Sequence, residues 1–219
     1  MKYQELENEI QKCRPYLQEK WSIQNDKQDQ DTNFIYYCKT LESCKLLARE
    51  NEIDEIYAIH RWYNYVCSKA VEEIFCELGA EPCENPKNKL YDLKIDGTCF
   101  DIKVSKFVLK AKQDLYTRQG KNEMIKWLTE NQSKEGRANY GNKLYIVCVA
   151  ETDIEAIMLK SNFKRIKQAC ERFLEYYKDK PFNTILAKTS PNGFSPIYAD
   201  LIYVKKEQQQ WTLKKLKKN

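Results

Sequence analysis

Two aspartates and a lysine, Asp92, Asp101 and Lys103, lie in a stretch where polar and apolar residues alternate. The dipeptide Asp96-Gly97 divides this stretch in two, and it is typical of the two-residue turn of a β-hairpin. With this turn, Asp92 faces Asp101 across the two strands, and Lys103 shares the face of Asp101 because strand side chains alternate. The opposite face is expected to be apolar and to consist of Tyr91, Leu93, Ile95, Phe100, Ile102 and Val104.

The facing aspartates predict a site for a divalent metal ion. Residues directly opposite each other on two strands have Cβ atoms about 4.5–5.5 Å apart, so two carboxylates there repel each other. A shared Mg²⁺ or Mn²⁺ would remove the repulsion, since both ions prefer oxygen ligands. Lys103 beside such an ion would polarise a water molecule or stabilise charge on a phosphate. Without a metal, the pattern predicts that removing Asp101 stabilises the protein.

Helices and strands predicted on both sides of the hairpin would hold it in place. Apolar residues recur at helical spacing over residues 54–78, and Gly79 is suited to end this helix. A short strand at 81–84 precedes the hairpin, and a helix at 118–131 and an apolar strand at 143–150 follow it. This order predicts an α/β fold with a mixed sheet covered by helices on both faces. The remaining predictions are helices at 1–21, within 34–50 and at 160–178, a loop at 22–33 and a strand at 197–204.

Positive charge is concentrated directly after the aspartates. Residues 1–102 carry 13 basic and 20 acidic side chains, a net −7, whereas residues 103–143 carry 10 and 4, a net +6. Residues 205–219 carry a further +5. A local basic block suits a polyanion such as nucleic acid, although a solvated loop and helix face would give the same pattern. An isolated Asp-x-Lys triplet is more often an exposed ion pair, so these surroundings are what favour a functional site.

Composition excludes several other kinds of protein. The chain has a single histidine, His60, which excludes a zinc site built from several histidines. Its nine cysteines include no CxxC pair, which favours reduced, structural thiols. No apolar run approaches the about 18 residues of a membrane span. The first residues lack the apolar segment of a signal peptide, so a cytoplasmic protein without membrane contact is expected.

The spacing of Asp92, eight further residues and then Asp101-Ile102-Lys103 resembles the motif of the PD-(D/E)xK nuclease superfamily. The resemblance covers roughly residues 60–150. Members of the superfamily include restriction endonucleases, junction resolvases and prokaryotic defence nucleases. The resemblance implies a restriction-endonuclease-like mixed β-sheet flanked by helices, here with a helical N-terminal extension. Tyr91 stands where the proline of the motif would be, and that proline is often absent in the superfamily.

The resemblance also implies roles for individual residues. Asp92 and Asp101 correspond to the metal-binding acids, the backbone carbonyl of Ile102 to a further metal ligand, and Lys103 to the catalytic lysine. The connection that follows the hairpin lies beside the nucleic-acid cleft in this fold. The residues expected to contact nucleic acid are Lys106, Lys110, Lys112, Arg118, Gln119, Lys121 and Arg137.

The helix before the hairpin often supplies one more acid, which here is Glu72 or Glu73. Glu72 is preferred as a catalytic residue because Ala70-Val71-Glu72 resembles the corresponding stretch of small defence nucleases. Helical geometry does not support this preference, since Glu73 lies nearer the edge of the apolar face.

Together these observations predict an endonuclease that depends on Mg²⁺ or Mn²⁺, hydrolyses DNA and acts in restriction or phage defence. The alternatives are a catalytically silent nucleic-acid- or protein-binding module of the same fold, and an RNA nuclease. Cleavage of both strands would favour a homodimer with two-fold symmetry. The expected organisation is a helical extension at 1–53, a nuclease core with a C-terminal αβ addition at 54–204, and a basic tail at 205–219.

Overall fold

The computed structural model of the protein describes residues 2–19, 26–85, 90–108, 117–131, 141–190 and 193–205. The helices are α1 (Tyr3–Gln11), α2 (Asp26–Asp31), α3 (Leu41–Glu50), α4 (Glu55–Glu77), α5 (Arg118–Asn131), α6 (Asp153–Leu159) and α7 (Phe163–Tyr177), with 3₁₀ turns at Tyr16–Gln18 and Asn33–Tyr37. The strands are β1 (Glu81–Pro82), β2 (Leu93–Ile95), β3 (Thr98–Val108), β4 (Lys143–Ala150), β5 (Thr184–Ser190) and β6 (Gly193–Lys205).

The strands form a mixed sheet. Among the described residues it has six strands in the order β1-β2-β3-β4-β6-β5. The first three strands pair antiparallel, β3, β4 and β6 run parallel, and β5 returns antiparallel to β6. The predicted order of helix, three strands, helix and strand is present as α4-β1-β2-β3-α5-β4. The chain is therefore an α/β protein built on a mixed sheet.

The hairpin has the register that the sequence predicts. Leu93 pairs with Phe100 and Ile95 with Thr98. Asp96 and the glycine after it both have positive φ, 48° and 75°. Two consecutive positive φ values are the signature of a type I′ turn, whose twist matches that of the flanking strands. The local sequence alone thus sets which residues of β2 and β3 face each other.

Strand β3 is much longer than its hairpin partner. It pairs with β2 only at residues 98–100, whereas it pairs with β4 over residues 101–108. Beyond Phe100, within the described part of the chain, no strand borders β3 on its β2 side. We call residues 102–106 on this side the open edge of β3.

Helix α4 packs against β3. Its N-terminus is capped by Asp54, whose carboxylate accepts the backbone N–H of Tyr57 at 2.8 Å. It ends before Gly79, whose φ of +101° suits a glycine after a helix. The observed helix, Glu55–Glu77, agrees closely with the helix predicted over residues 54–78.

Helices cover both faces of the sheet. Ile74 of α4 and Ile166 of α7 pack in one buried cluster with Ile102 of β3. Ile125 of α5 packs on the other face with Val147 of β4. All eight residues of β4 are buried, as expected for a strand covered on both faces. On the hairpin, the predicted apolar residues line the α4 face, except that Tyr91 is only half-buried.

The N-terminal elements pack against the first half of α4. Trp62 of α4 is fully buried in a cluster with Ile10, Leu17 and Ile35, and its indole N–H donates to the carbonyl of Cys38 at 3.1 Å. The predicted boundary at 53/54 falls in the turn between α3 and α4. Residues 206–219, which include most of the predicted basic tail, lie outside the described residues.

Several elements differ from the prediction. The first helix ends at Gln11 and not near residue 21; Pro15 follows, and proline has no N–H to continue a helix. Helix α2 lies within the predicted loop, and neither α6 nor β5 was predicted. Helix α6 has only seven residues, too few to show a clear apolar period, and β5 depends on pairing with β6.

Two further findings concern cysteines and membranes. The nine cysteines are free thiols. Within the described part of the chain, no helix is both long and apolar enough to cross a bilayer.

Candidate active site

The carboxylate of Asp92 lies at the open edge of β3. Its backbone N–H donates to the carbonyl of Phe100 at 2.9 Å, although Phe100 already pairs with Leu93, so the regular hairpin register ends at Leu93 and is shifted by one residue at Asp92. Its Oδ2 accepts the backbone N–H of Ile102 at 2.7 Å. Burial raises the pKa of Asp92, and the negative charge of the nearby Asp101 contributes in the same direction. The two aspartates are therefore close enough for their charges to interact, whereas the regular strand pairing that was expected to place them opposite each other stops at Leu93 and Phe100.

Asp101 is neutralised by two lysines. Lys103 Nζ lies 2.7 Å from Oδ1, and Lys143 Nζ lies 2.6 Å from Oδ2. Lys103 is on the solvent side, with 42% of its side chain exposed, whereas the side chains of Lys143 and Asp101 are 4% and 6% exposed. Burial lowers the pKa of Lys143, against the opposing effect of Asp101.

Lys143 was not predicted as a site residue. It opens β4, and the parallel pairing of β3 with β4 places it opposite Asp101. A lysine at the start of an otherwise apolar, fully buried strand is a signal, because buried lysines are almost always paired. Its partner could not be read locally, since the pairing joins residues 42 positions apart. Asp101 therefore lacks the unrelieved repulsion that the hairpin pattern alone suggested, and the expectation that its removal stabilises the protein is reversed.

The two candidate helix acids have different surroundings. Glu72 forms an ion pair with Lys69 at 2.6 Å. Burial raises the pKa of Glu72, and the charges of Asp92 and Lys103 also act on it, so Glu72 lies toward the predicted site. Glu73 instead accepts the backbone N–H of Tyr3 at 2.9 Å and so anchors the start of α1.

The oxygen donors at this edge fit a hard divalent cation. The N–H and carbonyl of one strand residue point to the same side, so the carbonyl of Ile102 faces the open edge together with Asp92. Two carboxylates and one carbonyl suit Mg²⁺, which uses few protein ligands and retains several waters. Among the described residues there is no group of three His, Cys, Asp or Glu side chains arranged for a metal. A metal here would rely on water, and it would compete with the lysines for Asp101.

Three of the predicted nucleic-acid contacts have described partners. Lys106 pairs with Asp153 of α6 at 2.5 Å on the surface. Lys121 pairs with Asp200, which is 1% exposed, so this lysine is the counter-ion of a buried acid. Gln119 donates to Glu123 at 2.9 Å on the exposed side of α5.

The other predicted contacts cannot be placed in the same way. Arg118 begins α5, and its side chain lies outside what the structure describes. Lys110, Lys112 and Arg137 also lie outside the described residues. Of the lysines in the basic block at residues 103–143, the structure describes Lys103, Lys106, Lys121, Lys126 and Lys143.

The chain was compared with models of protein families, with curated protein sequences and with solved structures, and none of them matches.

Proposed function

We propose that the protein is a metal-dependent nuclease that hydrolyses phosphodiester bonds in DNA. The observation that carries the proposal is the neighbouring pair Asp92 and Asp101 at the open edge of β3, with the exposed ammonium of Lys103 beside them. Two carboxylates, of which Asp92 is half-buried and Asp101 buried, a carbonyl and an exposed lysine beside this edge are the groups that phosphoryl transfer needs. Mg²⁺ or Mn²⁺ bound there would supply a charge that stabilises the phosphorane-like transition state.

Each residue has a distinct part in this proposal. Asp92, Asp101 and the carbonyl of Ile102 hold the cation. Lys103, 42% exposed and 2.7 Å from Asp101, is close enough to donate to a phosphate oxygen or to orient the attacking water. The water oxygen forms a bond to phosphorus and gives up one proton, one bridging P–O bond breaks, and the leaving oxygen takes up a proton. Glu72 is close enough to Asp92 and Lys103 for their charges to affect its pKa. In this proposal Glu72 orients water on the α4 side.

The fold supports the same proposal. The order α4-β1-β2-β3-α5-β4, with an antiparallel hairpin followed by a parallel strand, is the order expected for a restriction-endonuclease-like core. By analogy of fold, we propose a role in restriction or phage defence, and a two-fold homodimer if both strands are cut.

One observation favours a second function, a catalytically silent nucleic-acid-binding module. Both carboxylate oxygens of Asp101 already have an ammonium partner, so the acid needs no metal to balance its charge. A module of this kind would bind DNA through its basic surface and would leave it intact.

Cleavage assays separate these functions. Plasmid, linear DNA and RNA are incubated with the protein in EDTA, in Mg²⁺ and in Mn²⁺. We expect metal-dependent DNA cleavage that is lost in Asp92→Asn and in Lys103→Met. Asp96→Asn, in the turn of the same hairpin, and Lys126→Met, on the exposed side of α5, are matched controls that retain cleavage. Binding without cleavage in any metal would favour the silent module, and cleavage of RNA alone would move the substrate to RNA.

A further inference from the structure

A cavity of about 290 Å³ lies further along the open edge of β3. Residues of α4, α5 and α6 line it together with residues 104–106 of β3. Its polar lining includes Asn64, Ser105, Lys106 and Lys160, and Trp127 forms part of its wall. We call it the β3-edge pocket. A strand rises about 3.3 Å per residue, so its Lys106 lies about 10 Å from Lys103 along β3.

Lys160 is the unusual member of this lining. It is 8% exposed, and its ammonium donates to Oδ1 of Asn64. Within the described part of the chain, no carboxylate forms an ion pair with it, and the ammonium of Lys106 is close enough to act on its charge. Burial lowers the pKa of Lys160; the nearby thiols of Cys67 and Cys148 oppose this, and the positive charge of Lys106 acts in the same direction as burial.

A buried ammonium without a carboxylate is costly unless something else compensates it. The hydrogen-bond acceptor that the described residues provide, Asn64, is neutral, so it does not balance the positive charge of Lys160. An anion in the pocket would compensate Lys160 and would also meet Lys106 at the rim, where it would share this lysine with Asp153. A phosphate group has several acceptor oxygens, and lysine is a common phosphate ligand in proteins.

The wall of the pocket suggests what the phosphate is attached to. The side chain of Trp127 is 54% exposed, which is unusual for an indole on a helix that packs on a sheet. Exposed aromatic rings beside basic groups are the surfaces on which nucleobases stack. We propose that the β3-edge pocket binds one phosphorylated nucleotide, with the phosphate on Lys160 and the base against Trp127.

The nucleotide is either free or part of a strand that continues to the candidate active site. One strand of duplex DNA carries a phosphate about every 3.4 Å of axis, so the spacing of about 10 Å corresponds to about three nucleotides. Binding of a phosphate in the pocket does not depend on the proposed function. The further idea that the nucleotide belongs to a strand being cleaved does rest on the proposed function.

Calorimetry in EDTA tests the pocket without any cleavage. The probes are inorganic phosphate, a deoxynucleoside 5′-monophosphate, and one oligonucleotide with and without a 5′-phosphate. We expect Lys160→Met to weaken binding of the mononucleotide at least about tenfold, the loss typical of one hydrogen bond to a charged group. Lys164→Met, an exposed lysine of α7, is the matched control and should bind like the wild type. Trp127→Ala should weaken binding of the mononucleotide and leave the affinity for inorganic phosphate unchanged.

Each result has a definite meaning. Absence of binding by the wild type to every probe, or equal affinity in Lys160→Met, overturns the proposal. If Lys160→Met does not fold, Lys106→Met at the exposed rim gives the same test. A gain in affinity from the 5′-phosphate of the oligonucleotide identifies a strand as the source, and binding of the mononucleotide without that gain identifies a free nucleotide. Asp92→Asn should bind the mononucleotide normally, so loss of the nuclease proposal would leave this one standing.

Discussion

Lys143 is the buried counter-ion of Asp101: its Nζ lies 2.6 Å from Oδ2, and both side chains are almost fully buried. The pair connects the first residue of β4 to the strand that carries the candidate site. Because Asp101 is held on its other oxygen by Lys103, its carboxylate is fixed in position before any metal or substrate binds. The pair therefore has a structural role that can be separated from catalysis.

Asp101→Asn should destabilise the protein by about 3 kcal/mol, because it leaves Lys143 buried without its carboxylate. Lys103→Met removes the more exposed partner and should cost no more than about 1 kcal/mol. Urea unfolding of the two variants measures both values. The double variant Asp101→Asn/Lys143→Met removes the buried charges together and should recover most of the lost stability. If Asp101→Asn instead stabilises the protein, repulsion between Asp92 and Asp101 outweighs the ion pair with Lys143.

Asp92→Asn should stabilise the protein at pH 7 by about 0.2–1 kcal/mol, the range for relief of a like-charge pair across strands. Burial raises the pKa of Asp92 in the folded state, so its ionised form opposes folding at neutral pH. The wild type regains this stability as pH falls through the raised pKa, and the difference from Asp92→Asn should vanish below the ordinary value of 3.8. Unfolding measured from pH 7 to pH 3 gives the profile, with Asp96→Asn as the control. A constant difference across that range would contradict it.

The two neighbouring glutamates of α4 should respond differently to amide substitution. Glu72→Gln should reduce DNA cleavage and leave stability unchanged or slightly increased, because burial raises the pKa of this acid. Glu73→Gln replaces the charged acceptor of the Tyr3 N–H, so it should cost about 1 kcal/mol and spare cleavage. Melting temperature and cleavage rate, measured for both variants, separate the roles. If Glu73→Gln loses cleavage and Glu72→Gln keeps full activity, then Glu73, and not Glu72, is the helix acid of the active site.

Lys121→Met should destabilise the protein by about 1–3 kcal/mol, because Asp200 would lose its cation in a buried position. Tyr177 still donates to Asp200, which limits the loss. Lys126→Met on the exposed side of the same helix is the control and should change stability by less than about 0.5 kcal/mol. Chemical unfolding gives the comparison. Equal stability of the two variants would show that Lys121 is free for nucleic acid after all.

The sequence by itself determined the hairpin and the elements around it. Asp96-Gly97 and the alternation on either side specify a turn and a register through contacts between near neighbours, so the pairing of Leu93 with Phe100 and of Ile95 with Thr98 follows from the local sequence. Strand β4 has the predicted boundaries because its apolar run is uninterrupted, and helix α5 has them because Met124, Ile125 and Leu128 recur at helical spacing.

Only the tertiary structure decided which charges meet. The pairing of Asp101 with Lys143, of Lys121 with Asp200, and the burial of Lys160 depend on contacts between elements far apart in the chain. Such contacts follow from how the strands order themselves and how helices pack on the sheet, and no local pattern of residues encodes them. The sequence could therefore name the acids of the site, whereas the neutralisation of Asp101 and the cavity beside it arise from packing.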